Sequence, residues 1–168
     1  CTNISITNNM INLGMGYTSS ASGGVIASNS ITSATTAGDN AYNLTISNNE
    51  IIGGYYGMSL YGGGMSGCVV SNNNVHDYYN TGLVVRNSDS NIFENNNFHR
   101  AMRSTISTFY GMRIGVSTRA IVRGNKVHDS GTGSYTCYGI EMQGAPNTMS
   151  AESHVYNNQI YNLGSTSS

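Results

Sequence analysis

A chain of 168 residues fits one domain, and its net charge of −1 with only 7 Lys plus Arg provides no basic stripe to neutralise a phosphate backbone, so no nucleic acid partner is expected. No apolar run approaches the ~18 residues needed to cross a bilayer, so no membrane span is expected either. Charged residues make up 9% of the chain and Gly, Asn, Ser and Thr replace them, as in disordered chains, but such chains lack regularly spaced Ile, Val and Met, and this one has them.

Taken in chain order, one six-residue phrase keeps returning: apolar, any residue, small polar, Asn, any residue, apolar. It reads Ile6-Thr7-Asn8-Asn9-Met10-Ile11, then more weakly Ile26-Ala27-Ser28-Asn29-Ser30-Ile31, then Ile46-Ser47-Asn48-Asn49-Glu50-Ile51 and Val70-Ser71-Asn72-Asn73-Asn74-Val75. Phe93-Glu94-Asn95-Asn96-Asn97-Phe98, Val122-Arg123-Gly124-Asn125-Lys126-Val127 and Val155-Tyr156-Asn157-Asn158-Gln159-Ile160 follow. Counted on the second Asn (Asn9, Asn29, Asn49, Asn73, Asn96, Asn125, Asn158), the steps are 20, 20, 24, 23, 29 and 33 residues, a period that marks a stacked solenoid. Alternating apolar residues rich in Ile and Val predict a short strand on each side of the Asn pair. Asn tolerates the left-handed region, so the invariant second Asn is expected to make the corner, and stacking predicts that these amides hydrogen-bond from coil to coil.

Between these copies lie Gly57-Met58-Ser59-Leu60, Gly82-Leu83-Val84-Val85, Gly111-Met112-Arg113-Ile114 and Gly139-Ile140-Glu141-Met142. They predict a third strand per coil, entered through a Gly turn and preceded by a side-chain ladder of Tyr56, Thr81, Tyr110 and Tyr138. From Ile6 to Ile46 the alternatives are two short coils with Asn29 at a corner, or one coil with a long loop such as Thr32 to Asn40. The expected fold is all-β, a parallel β-helix of six or seven coils with three short strands each. The paired positions from Ile6 and Ile11 to Val155 and Ile160 are expected to fill its core.

The Asn-Asn repeats resemble the right-handed parallel β-helix proteins of the pectin-lyase-like superfamily, from about Ile4 to about Leu163. The resemblance implies the handedness and a secreted or cell-surface setting. It leaves activity open, since the scaffold serves lyases, hydrolases, epimerases and adhesins alike. The chain reads as one β-helix domain over 1–168 and is expected to be a piece of a longer protein, because Asn3-Ile4-Ser5-Ile6 already reads as strand. Its open strand edges are expected to drive association into oligomers or fibres. Cys1, Cys68 and Cys137 fit no metal spacing and read as small buried side chains.

Two columns carry the candidate chemistry. On the Gly-led strands the outward residues Ser59, Val84, Arg113 and Glu141 are followed two residues on by Tyr61, Arg86, Gly115 and Gln143. Tyr61, Arg86, Arg113, Glu141 and Gln143 combine an aromatic face, two guanidinium groups, a carboxylate and an amide, a mixture suited to uronate-bearing carbohydrate. An ordinary solvated sheet face is the alternative. The resemblance to polysaccharide lyases implies an Arg as proton acceptor, which singles out Arg86 and Arg113. After the second strand come His76-Asp77, His99-Arg100 and His128-Asp129, where His76 and His128 have the residue types of a general base oriented by a carboxylate. Their repetition favours a structural ladder, and sequence neighbours on a strand need not touch. The eight acidic residues are scattered and contain no hydrolase-type cluster. The reading is therefore a rigid β-helical scaffold that presents a strand ladder for carbohydrate or for another copy, with a uronan lyase as the alternative and no metal or cofactor expected.

Overall fold

A computed structural model describes residues 2–38, 41–144 and 151–164. Cys1, Pro146 and the last residues of the Thr32 to Asn40 loop lie outside them.

Seventeen strands are found among the described residues. The first coil holds β1 (Ser5–Thr7), β2 (Met10–Gly14) and β3 (Gly23–Ala27), and the second β4 (Thr45–Ser47), β5 (Glu50–Gly53) and β6 (Tyr56–Ser66). The third holds β7 (Val69–Ser71), β8 (Asn74–His76) and β9 (Thr81–Asp89), and the fourth β10 (Ile92–Glu94), β11 (Asn97–His99) and β12 (Phe109–Thr118). The fifth holds β13 (Ile121–Arg123), β14 (Lys126–His128) and β15 (Cys137–Gln143), and the sixth β16 (His154–Tyr156) and β17 (Gln159–Tyr161). Every third strand pairs in parallel, giving sheet 1 (β1-β4-β7-β10-β13-β16), sheet 2 (β2-β5-β8-β11-β14-β17) and sheet 3 (β3-β6-β9-β12-β15).

The corner between sheets 1 and 2 divides its work between the two residues of each Asn pair. The left-handed residue is the first of the pair, Asn8, Asn48, Asn72, Asn95 and Asn157, all with φ between 55 and 59°, and Gly124 takes the same place at φ 65°. This corrects the expectation that the invariant second Asn makes the turn. A Gly can replace the turning residue because only backbone freedom is needed there. The second Asn is invariant for its amide. Asn73, for example, gives its backbone N–H and its Nδ2 to Asn96 Oδ1 (3.0 and 2.9 Å), and Nδ2 also reaches the carbonyl of Ile46 in the preceding coil (2.9 Å). The same bonds run from Asn9 through Asn49, Asn73, Asn96 and Asn125 to Asn158.

The core follows the phrase. Ile46, Ile51, Val70, Val75, Phe93, Phe98, Val122 and Val127 are fully buried, and Ile6 and Ile11 pack partly against them. Val155 and Ile160, in the sixth coil, are about half exposed at 48% and 49%. Like stacks on like, with Ile46 paired to Val70, Val70 to Phe93 and Phe93 to Val122.

The Gly that opens each third strand has a different cause from the turn expected of it. None of Gly57, Gly82, Gly111 and Gly139 has a left-handed φ. A Cβ on Gly111 would lie 2.3 Å from Val127 Cγ1 and 2.6 Å from the carbonyl oxygen of Gly139 in the next coil, and Gly57 and Gly82 are equally confined. The coil is too narrow there for any side chain.

Residues 6 to 46 form one coil with a long loop. Ile26 lies in β3, Ile31 is fully exposed, and Asn29 donates its N–H to the Thr36 carbonyl inside the loop (3.3 Å), so Asn29 makes no corner. This weaker copy lacks a coil because its second apolar residue finds no core to enter. The loop folds instead over the outer face of sheet 3.

Candidate functional site

The register of sheet 3 aligns the outward column as the alternation requires: Ser59, Val84, Arg113 and Glu141 are successive partners, and so are Tyr61, Arg86, Gly115 and Gln143. The face is only partly open, however. Ser59 and Ala34 are both 0% exposed because the loop after β3 crosses β6, where the Ser59 hydroxyl donates to the Ala34 carbonyl (2.5 Å) and the Gly38 N–H to the Tyr61 carbonyl (2.7 Å). Thr35 of that loop lines the same cleft as Tyr56. Burial, then the neighbouring Tyr55, pushes the Tyr56 phenol above its ordinary value, which keeps it neutral and able to donate.

Beside this loop lies a polar cleft of about 180 Å³. Thr35, Tyr56 and Tyr61 form its side on the second coil, Asn80, Thr81, Val84 and Arg86 come from the third, and Arg113, Gly115 and Gln143 from the fourth and fifth. Four of the five residues assigned to carbohydrate binding therefore line one cleft, and the fifth, Glu141, holds two of them. Its Oε2 meets Arg113 Nε at 2.8 Å, and its Oε1 accepts from Gln143 Nε2 at 2.6 Å. Arg113 also lies over the Tyr110 ring at 4.9 Å, and Tyr110 stacks on Tyr138 at 4.6 Å. The expected ladder of Tyr56, Thr81, Tyr110 and Tyr138 is interrupted at Thr81, whose hydroxyl turns to Asn80 Oδ1 (2.8 Å).

Arg86 is placed differently from Arg113. It donates to the Tyr61 hydroxyl at 2.6 Å with its guanidinium carbon 5.7 Å from that ring, and no carboxylate among the described residues lies within ion-pair distance of it. Among the described residues the cleft sets two guanidinium groups against one carboxylate. Asn87 (φ 54°) and Val116 (φ 48°) bend β9 and β12 just beyond Arg86 and Gly115.

The His column lies on sheet 2 and contributes nothing to this cleft. His76, His99, His128 and Tyr161 form one stack with centroids 4.9, 5.0 and 4.8 Å apart. His76 and Asp77 do touch, Nδ1 to Oδ2 at 2.8 Å, and so do His128 and Asp129 at 2.7 Å. Asp77 (φ 55°) and Asp129 (φ 44°) turn left-handed as the strand ends, which swings the carboxylate back to its own neighbour. Burial, then the like charge of His76 and His128 on either side, pushes the His99 imidazole below its ordinary value, so the middle ring favours the neutral form. His99 and His128 have both faces covered by other rings and His76 has one, an arrangement that suits a stacked ladder. Among the described residues no group of three or more His, Cys, Asp or Glu is placed to hold a metal ion.

Motif spacing gave no sign of the two buried arginines of the loop after β11. Arg103 donates to carbonyls in the loops of four successive coils, those of Tyr17 (2.7 Å), Gly54 (3.2 Å), Asp77 (2.9 Å) and Thr105 (2.9 Å). Arg100 is sealed between the Phe109 and Tyr135 rings, 5.2 and 4.7 Å away, and bonds the carbonyls of Tyr79 and Ser130. Thr35, Tyr56, Asn80, Thr81 and Val84 were likewise not assigned to a site. Tyr56 and Thr81 carried a signal through the column before each Gly, whereas Thr35 sits in a loop without repetition. Cys68 is fully buried and Cys137 half-buried, both as free thiols.

Three stacked parallel sheets, an Asn ladder and a solenoid period characterise the chain without external comparison. No curated protein matches it, and no solved structure matches it. The family model described as a right handed beta helix region matches residues 1–98 and again 62–168, so that the two matches together span the sequence. The chain belongs to the right-handed β-helix family.

Proposed function

We propose that this β-helix is the scaffold of a secreted or cell-surface protein and that it binds an acidic glycan in the cleft on sheet 3. The observation that carries the reading is Arg86: a guanidinium with no carboxylate partner among the described residues, set among Tyr61, Asn80, Thr81, Arg113 and Gln143. A uronate carboxylate supplies the missing charge and takes a bidentate contact, while the amides and hydroxyls pair with ring hydroxyls. In titration calorimetry with galacturonate and mannuronate oligomers, Arg86→Ala is expected to weaken binding by about 2 kcal/mol, roughly 30-fold, the value of a hydrogen bond to a charged group. Equal affinity of wild type and variant would remove this reading.

The lyase alternative needs a group free to take a proton from the sugar. Arg113 is committed to Glu141, Arg86 to the Tyr61 hydroxyl, and His76 and His128 lie on another sheet. The same titrations are therefore expected to produce no ultraviolet absorbance of unsaturated uronate, and sustained turnover would replace binding with catalysis.

Self-assembly is a second reading, favoured by the sixth coil, where Ile140, Met142, Val155, Tyr156 and Ile160 line an open apolar cleft. A further coil, from this or another copy, would bury Val155 and Ile160 as their equivalents are buried in the second to fifth coils. Sedimentation velocity of residues 1–168 is expected to show association rising with concentration. A monomer at all concentrations argues against it.

A further inference from the structure

We infer that the sheet 3 cleft takes the end of a glycan chain, one acidic ring at a time, instead of a stretch from the middle of a polymer; this rests on the carbohydrate reading above. An unobstructed outer face of a β-helix is a groove that continues from coil to coil at ~4.8 Å per step and holds a polymer along its length. Here the face is blocked toward the first coil and narrowed toward the fifth.

Toward the first coil the wall is the loop after β3. It lies directly on the ladder, with Ser59 and Ala34 inaccessible, and its shape is built in. Ser28 Oγ donates to the carbonyls of Ser33 (2.7 Å) and Thr36 (3.0 Å), Ser59 Oγ to that of Ala34, and the Gly38 N–H to that of Tyr61. Toward the fifth coil the Arg113–Glu141 pair and the Glu141–Gln143 bond tie the fourth and fifth coils across the face. The opening is centred on the third coil and reaches Tyr56 and Tyr61 of the second, Arg113 and Gly115 of the fourth and Gln143 of the fifth. Its volume of about 180 Å³ is below the ~300 Å³ at which pockets for drug-sized ligands begin, leaving room for a single sugar ring with its carboxylate on Arg86. Depth comes from Gly115, where a Cβ would sit in ordinary contact, 3.6 Å from Arg86 Cγ, and a longer side chain would project into the cleft.

The test is competition against a labelled galacturonate disaccharide bound to the 168-residue chain, using polygalacturonate cut to different extents. At fixed mass of polymer, potency is expected to rise in proportion to the number of chain ends, and molar affinity is expected to stay within about 3-fold from the disaccharide upward. Affinity that climbs tenfold or more with length, at unchanged end number, would overturn the inference while leaving glycan binding intact. Failure of every oligomer to bind would overturn both. Gly115→Leu, which fills the cleft without touching the core, is expected to abolish disaccharide binding. Retention of binding by that variant places the sugar elsewhere and also overturns the inference. Replacing residues 29–37 by a short Gly-Ser linker removes one wall and is expected to make affinity grow with chain length.

Discussion

Asn96→Ala is expected to cost about 4 kcal/mol in urea denaturation, a large share of the ~5–15 kcal/mol that holds a domain together. The side chain sits at the middle of the ladder, about 1% exposed. Its Oδ1 accepts from the backbone N–H and Nδ2 of Asn73, and its Nδ2 donates to Asn125 Oδ1 and to the Val70 carbonyl. Truncation leaves the buried Asn73 backbone N–H without a partner, at about 1–3 kcal/mol, and removes one further bond each from Asn73 Nδ2, Asn125 Oδ1 and the Val70 carbonyl, at about 1 kcal/mol each. Asn97, the next residue, supplies the control. It faces outward on β11 and bonds Asn74 and His128 at the surface, so Asn97→Ala is expected to cost less than about 1 kcal/mol. Equal losses for the two variants would mean that the ladder contributes no more than a surface amide.

Gly111→Ala is expected to destabilise by about 3 kcal/mol, although Ala is the smallest change available and the φ is ordinary. The added methyl meets Val127 Cγ1 at 2.3 Å and the Gly139 carbonyl at 2.6 Å. Rotating Val127 only exchanges one methyl for the other, since Cγ2 lies 2.8 Å away, and the carbonyl is held in the neighbouring coil, so β12 and β15 must move apart. A double variant, Gly111→Ala with Val127→Ala, relieves only the first clash and is expected to recover none of the loss, because it adds a cavity. Full recovery in thermal denaturation would show that the carbonyl contact is soft and the side chain was the whole obstacle.

Much of the fold was legible because stacking in parallel turns a three-dimensional arrangement into a one-dimensional pattern. When each coil lies directly over the last, Ile46, Val70, Phe93 and Val122 must occupy one column, and a repeat in sequence is a column in space. The same logic made the Asn ladder and the outward series of Tyr61, Arg86, Gly115 and Gln143 readable before any coordinates. The roles within the repeat were harder to read. Asn95 and Asn96 look alike in sequence, yet one is selected for a left-handed backbone and the other for four hydrogen bonds, and only the Gly124-Asn125 copy separated them.

By itself, then, the sequence determined the period, the three strands per coil, the residues that enter the core and the face on which the charged and aromatic side chains stand. The tertiary structure alone decided that a loop covers part of this face and leaves a cleft beside it. Among the described residues the loop after β3 repeats in no other coil, and its course over Ser59 depends on the Ser59 hydroxyl and the Tyr61 carbonyl, which it meets only after folding. It also decided which arginine has a carboxylate beside it among the described residues, since Arg113 finds Glu141 in the next coil and Arg86 the Tyr61 hydroxyl. Repetition encodes what every coil shares. Contacts made once, between a loop and the coil it crosses, leave no period to read.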